Sequence, residues 1–334
     1  MSKKLLLKLI ISLTLLLSGY VHSPYASAYN NPVIRSSMPD PAAIKAKDGC
    51  YYVYATDSKG LVPIYSSKDL VNWTFRGTVF SQENKPNKEK LWQVWAPDII
   101  QYKGQYLFSY ALSKGGEYNK NGICIATSDN PTGPFTDHGM LFTSDEIGVR
   151  NSIDPSFVAY KDKLYLLWGS FNGIYIIELK KNKSGNFQIA SPDTKVKLAG
   201  NKFEGAHIFK HGKYYYLFAS IGACCKGADS TYKVVVGRSK DIFGPYIDSE
   251  GIPMLNNGYD LVVDSSEKFI GPGHGSTIIT DRNHRTWYLY HSWQNDAIDR
   301  GRQLMLDEIL WDKDGWPYIK SFKPSETSPT PPRL

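Results

Sequence analysis

Asp40, Asp154 and Glu204 each stand at the head of a short apolar run that passes through a turn into an aromatic segment, and His274 heads another. Residues at equivalent points of a repeat converge when the repeats are arranged about an axis. Three converging carboxyls can divide the work of hydrolysis: one ionised to take a proton from water, one protonated to give a proton to a leaving oxygen, and a third to keep those two states apart. Glycoside hydrolysis is the reaction that uses paired carboxyls in this way. A single acid beside proline is more often a turn former, so it is the recurrence that argues for a site. Asp98 departs from the pattern, standing behind Trp95-Ala96-Pro97, and reads as a structural or rim acid rather than a catalytic one.

Five stretches carry the repeat: DPAAIKAKDGCYYVYAT from Asp40, APDIIQYKGQYLFSYA from Ala96, DPSFVAYKDKLYLLWGS from Asp154, EGAHIFKHGKYYYLFAS from Glu204, and HGSTIITDRNHRTWYLYHS from His274. Each contains two β-type runs rich in residues that suit a pleated surface, with room for two more strands before the next repeat. Radial repetition of four-stranded units predicts an all-β fold, a five-bladed β-propeller, with the first strand of each blade lining a central channel. A second repeat follows a β run three times, at Ser67-Lys68-Asp69, Ser128-Asp129-Asn130 and Ser239-Lys240-Asp241, and supplies turn chemistry before the outermost strand. The two termini are expected to share or close a blade, which removes exposed edges.

Residues 1–28 read as a secretory signal peptide: Lys3, Lys4 and Lys8, an apolar run from Leu5 to Leu17, then Ala26-Ser27-Ala28. That run is shorter than the roughly twenty residues needed to span a bilayer. The mature protein is therefore expected to be secreted, with a propeller over 29–323 and a Pro-rich flexible tail over 324–334. Loss of the three lysines lowers the net charge from +7 to +4, too mild to argue for nucleic acid. Four cysteines are too few for a disulfide framework in a domain this large. Cys224 and Cys225 could form a vicinal disulfide or stand as two small loop residues, and neither reading makes them catalytic. A monomer is expected.

The segments MPDPA at 38–42, VWAPDI at 94–99, IDPSF at 153–157, FEGAHIFKHGKYYYLFAS at 203–220 and GPGHG at 271–275 resemble the five-bladed propeller enzymes of glycoside hydrolase family 43. The segments at 224–246 and 308–318 most resemble those members that are α-L-arabinanases cutting 1,5-linked arabinan. The resemblance implies an inverting reaction with Asp40 as general base, Glu204 as general acid and Asp154 as the residue that raises the acid's pKa and orients it. It also implies a water-rich metal site in the channel, with Ca2+ or a similar hard cation held by His274 as the only protein ligand. His207 and His291 read as core or supporting polar groups. Trp95 is the best placed aromatic for stacking a sugar, with a buried blade contact as the equal alternative. Asn151 and Ser152 either face the substrate or cap a loop. Asn172-Gly173 follows Gly169-Ser170-Phe171 where related arabinanases often carry an aromatic, which leaves the number of sugar subsites open.

The expected function is hydrolysis of the α-1,5-linked L-arabinan backbone, endo-acting, by single displacement. The alternatives are an exo-arabinanase, an arabinofuranosidase or xylosidase of the same fold, or a non-catalytic glycan-binding propeller. Intact carboxyls at all three positions argue against the last.

Overall fold

A computed structural model of the chain describes residues 28–86, 92–275, 277–328 and 330–334. The leader read over 1–28 lies outside the described residues except for Ala28. Five antiparallel sheets follow one another along the chain as the blades of a five-bladed β-propeller. Blade 1 runs Ala42–Lys45, Tyr51–Tyr54, Pro63–Ser67 and Thr74–Thr78; blade 2 runs Trp92–Tyr102, Gln105–Lys114, Gly122–Ser128 and Thr136–Thr143. In blade 3, Ser156–Tyr160, Lys163–Trp168 and Ile174–Lys181 are followed by Phe187–Ile189 and Val196–Ala199, which share the third strand. Blade 4 runs Glu204–His211, Tyr214–Ile221, Lys233–Ser239 and Asp260–Val263. Blade 5 has a split inner strand, Phe269–Gly273 and Ile279–Thr280, then Thr286–Gln294, Arg302–Trp311 and Pro317–Ile319.

The second strands read as continuous apolar runs because each is covered on both faces by neighbouring blades. All four residues of Tyr51–Tyr54 are buried. Apolar clusters fill every junction between blades: Tyr54 and Phe108 between 1 and 2, Leu107 and Trp168 between 2 and 3, Leu167 and Leu217 between 3 and 4, Phe218 and Tyr288 between 4 and 5, and Val53 and Leu289 between 5 and 1. Burying each such side chain contributes about 1.5–3 kcal/mol. The three Ser-centred turns also share one geometry. Ser67, Ser128 and Ser239 each end a third strand and accept the N–H two residues on at 3.1 Å.

Of the two arrangements expected for the termini, sharing a blade or closing one, the sharing is not found. Each blade is built from contiguous chain, and the termini meet in a separate ribbon in which Tyr29–Asn30 pairs with Thr327–Ser328. The N-terminal segment also bridges blade 5, where Val33 N–H donates to Leu304 O at 2.9 Å. The Pro-rich end is fastened to the body over its described residues: Arg333 N–H donates to Asp281 Oδ2 at 3.1 Å, and Leu334 packs with the cluster between blades 5 and 1. Proline lacks an N–H and suits an extended segment whose carbonyls are used by neighbours; Pro331 O accepts from Arg285 at 2.9 Å.

Candidate active site

At the channel mouth the five inner strands begin in the same unusual way. Asp40, Ala96, Asp154, Gly205 and His274 have φ of 52°, 43°, 59°, 55° and 40°. The left-handed region is disfavoured for residues with a Cβ, by about 1–2 kcal/mol each, and strain of this kind gathers at functional sites. Strand register shifts beside it in blades 2, 4 and 5, between Trp95 and Asp98, Glu204 and His207, and Ile270 and Gly273. These bulges re-aim the side chains at the strand heads. Glu204 stands one residue ahead of the left-handed position, where blade 4 has Gly205; a Cβ there would lie 2.8 Å from His274 Cγ, so only glycine lets the ring sit against the strand.

Asp40 is buried, and both its carboxylate oxygens are occupied. Arg302 Nη1 donates to Oδ1 at 2.8 Å and Thr56 Oγ1 donates to Oδ2 at 2.8 Å. Thr56 in turn accepts the Ala96 N–H at 2.7 Å, tying blade 1 to the strand that carries Trp95. Asp40 N–H donates to His291 Nδ1 at 3.0 Å. That bond fixes His291 as a neutral ring, and burial holds its pKa well below the ordinary value. Burial alone would raise the Asp40 carboxyl, but Arg302 foremost, with the Thr56 hydroxyl also bonded to it, holds it well below the carboxylate range.

Glu204 and Asp154 behave in the opposite way. Ser170 Oγ donates to Glu204 Oε2 at 2.8 Å, and Gly205 N–H donates to Asp154 Oδ2 at 3.1 Å. Burial pushes Glu204 up to about 7, against the hydrogen bonds from Tyr232 and Ser170, with the charge of Asp40 adding to the rise. Burial and then the Glu204 charge push Asp154 well above its ordinary value. The sequence-based expectation gave Asp154 as the cause of the raised Glu204; burial is the largest cause, and the carboxylate charge that adds to it is that of Asp40. Together the pair retains a proton near neutrality while Asp40 stays ionised.

His274 lies beside this group, its Nδ1 3.5 Å from Asp40 Oδ1 and its N–H donating to Ser220 Oγ at 2.8 Å. Burial lowers its pKa, so the ring is neutral and can offer a lone pair. Among the described residues no group of three or more His, Cys, Asp or Glu side chains is arranged to hold a metal ion. A cation beside His274 would take one imidazole from the protein, since the neutral ring has a nitrogen lone pair to give. Both nitrogens of buried His207, and His291 Nε2, lack a partner and give the channel polar walls where water could sit. His207 stacks against both Phe218 and Tyr288, at 5.1 and 5.5 Å. Below it the channel holds a cavity of about 410 Å³ that reaches the inner strands of all five blades. Asp98 lines that cavity, accepts the Phe157 N–H at 2.6 Å and is raised to about 7 by burial, as suits a structural link between blades.

The remaining expected contacts divide. Trp95 is half-buried on the bulge of blade 2. Asn151 is half-buried, and its side-chain oxygen accepts from Asn121 Nδ2 at 2.8 Å. Ser152 does not face the channel mouth: it is fully buried, donating to Val149 O at 2.8 Å and accepting from the Trp168 indole at 3.1 Å. Its hydroxyl is consumed by the loop it caps, which corrects its reading as a substrate contact. Arg302, Thr56, Ser170 and Tyr232 join the site without having been singled out from sequence. Phe171, beside Ser170 in the chain, is 41% exposed, and its N–H donates to Phe203 O at 2.9 Å. Cys224 and Cys225 form a disulfide, whose loop is held by the Trp293 indole donating to Cys224 O at 2.8 Å.

The family model described as glycosyl hydrolases family 43 matches residues 29–317. An extracellular exo-α-(1→5)-L-arabinofuranosidase of Cellvibrio japonicus (strain Ueda107) is 31% identical over 84% of this chain and 85% of its own. An extracellular endo-α-(1→5)-L-arabinanase of Bacillus subtilis (strain 168) is 32% identical over 83% and 86%. Among solved structures, the Cellvibrio cellulosa α-L-arabinanase complexed with arabinohexaose superposes with a TM-score of 0.74 at 28% identity, covering 86% of this chain and 98% of that one.

Proposed function

Because the chain belongs to glycosyl hydrolases family 43, we propose that this glycosidase is a secreted, endo-acting enzyme that cuts the α-1,5-linked L-arabinan backbone with inversion at the anomeric carbon. Glu204, carrying its proton, donates it to the leaving glycosidic oxygen as the carbon–oxygen bond breaks. Asp40, ionised, takes a proton from the water whose oxygen bonds the anomeric carbon. An inverting pair stands about 6.5–9.5 Å apart so that this water fits beneath the sugar. Asp154 shares its proton equilibrium with Glu204 and, through the Gly205 amide, holds the backbone from which Glu204 projects. Trp95 and Asn151 contact the bound sugars.

The observation that carries this reading is the split between two buried carboxyls of one site, Asp40 held down by Arg302 and Glu204 raised to about 7. Opposite protonation states are what a base and an acid require at one pH. Secretion is supported by the apolar leader and by relatives named as extracellular. His274 would hold a Ca2+-like cation, whose charge stabilises the ionised form of a nearby carboxylate.

The time course of products from linear 1,5-arabinan, with branched arabinan and xylan alongside, tests the substrate and the mode. A spread of intermediate oligosaccharides from the start is expected. One short product throughout would make the enzyme exo-acting, and release only from xylan or from branches would refute the arabinan backbone as substrate.

A further inference from the structure

The loop from Gly115 to Asn121 joins the second and third strands of blade 2 and leaves the blade at the end where Lys114 pairs with Trp92. Trp95 pairs with Ala111 near the same end, so the loop lies on the face of the propeller that carries the carboxyls. It is bound directly to the segment leading into Asp154. Asn151 N–H donates to Tyr118 O at 3.2 Å, and Ile153 N–H donates back to Asn151 O at 3.0 Å. Buried Asn121 clamps both sides, accepting from Ser113 Oγ at 3.1 Å and donating to Asn151 Oδ1 at 2.8 Å. Glu117 bridges Lys114 and Lys120 at 2.7 and 2.5 Å and braces the loop.

Between this loop and Arg150 lies an open groove of about 570 Å³. Tyr118, 45% exposed, forms its platform, and the Arg150 guanidinium lies 5.2 Å from the ring centroid. Arg150 makes no ion pair with any described carboxylate, so its donors are free for a ligand. Lys114, Lys120 and Arg150 are nearly balanced by Glu117 and Asp145, which disfavours an anion as occupant. An aromatic face for sugar C–H groups beside a fork of donors for hydroxyls suits a neutral glycan. The occupant is argued from continuity: the groove lies on the carboxyl-bearing face and is hydrogen-bonded to the segment that ends in Asp154.

We propose that Tyr118 and Arg150 form an outer sugar subsite, taking an arabinosyl unit of the same polymer chain at a distance from the bond being cut. The proposal rests on the arabinanase reading. Such a subsite contributes only when the chain is long enough to span from the carboxyls to the tyrosine, and it acts on binding rather than on the chemical step.

The test is the length dependence of KM and kcat for arabino-oligosaccharides from trimer to octamer with wild type, Tyr118→Ala and Arg150→Gln. Tyr118→Ala is expected to raise KM about ten-fold for the longest substrates, leaving the trimer KM and every kcat unchanged, with a smaller rise in the same direction for Arg150→Gln. An equal change at all lengths, or none, overturns the subsite. Wild type inert on arabinan would overturn the arabinanase reading instead. The platform is then read by gel retardation in soluble arabinan or xylan, which Tyr118→Ala weakens about ten-fold if the subsite exists and leaves unchanged if it does not.

Discussion

Arg302 Nη1 and Asp40 Oδ1 lie 2.8 Å apart across the junction where blade 5 meets blade 1. The pair joins the last long strand of the propeller to the head of the first inner strand. It is also the leading cause that keeps a buried Asp40 ionised. Replacing Arg302 by Met raises the Asp40 pKa. A base acts in its ionised form, so activity is lost as pH falls through that pKa, and the acidic limb of the kcat/KM profile moves to higher pH. Thermal unfolding should show a loss of about 3–5 kcal/mol, since one partner of a buried ion pair is left alone. An acidic limb in the same place as wild type would separate Arg302 from the ionisation of Asp40.

Glu204→Gln keeps the shape of the acid and removes its proton. We expect kcat on arabinan to fall by about 10²–10⁴ or more, with a circular dichroism spectrum and melting temperature close to wild type. In wild type the alkaline limb should lie near the value of about 7 held by the buried acid. Activity falls as pH rises through it, because the donor form is the protonated one. A folded variant that retains turnover would remove Glu204 from the role of donor.

Tyr232 is buried, hydrogen-bonds Glu204 and stacks on His291 at 5.8 Å. Its hydroxyl lowers the Glu204 pKa, so Tyr232→Phe keeps the stacking and should move the alkaline limb upward. Ser170→Ala, which deletes the donor 2.8 Å from Glu204 Oε2, should move it the same way. A shift downward in both would contradict the hydrogen-bond account.

Chelation followed by a verified metal assay tests the channel cation. With one imidazole and water as its ligands, a cation at His274 adds little to the fold but alters the charge felt by Asp40, 3.5 Å from the ring. Activity should fall further than thermal stability. Unchanged rate and pH profile after complete removal would exclude a role for the metal in the reaction.

The blades were legible because each one repeats a head, a turn and an aromatic strand, and the same repetition marked Asp40, Asp154 and Glu204. Their supporting groups were not, because they are contributed by other strands and meet only in the closed ring. Arg302 is 262 residues from Asp40, and nothing in Gly301-Arg302-Gln303 signals the contact. Tyr232 lies in the loop segment that follows Cys224-Cys225, and its contacts with Glu204 and His291 arise only when blade 4 has formed and packs against blade 5. Ser152 and Ser170 show the converse limit. Both are serines near a strand end, yet one hydroxyl is spent on the Trp168 indole and the other reaches Glu204. The left-handed backbone shared by Asp40, Ala96, Asp154 and His274 is only weakly signalled by composition, since all four carry a Cβ and, although aspartate and histidine are enriched in that region, most residues of either type lie outside it.

The most direct test of the account is the anomeric configuration of the first product, followed by proton NMR during rapid hydrolysis of linear α-1,5-arabinan. A single displacement by water, with Asp40 as base and Glu204 as acid, predicts that the new reducing end appears first as the β anomer and equilibrates afterwards. Initial appearance of the α anomer would mean retention, and would contradict the division of roles between Asp40 and Glu204.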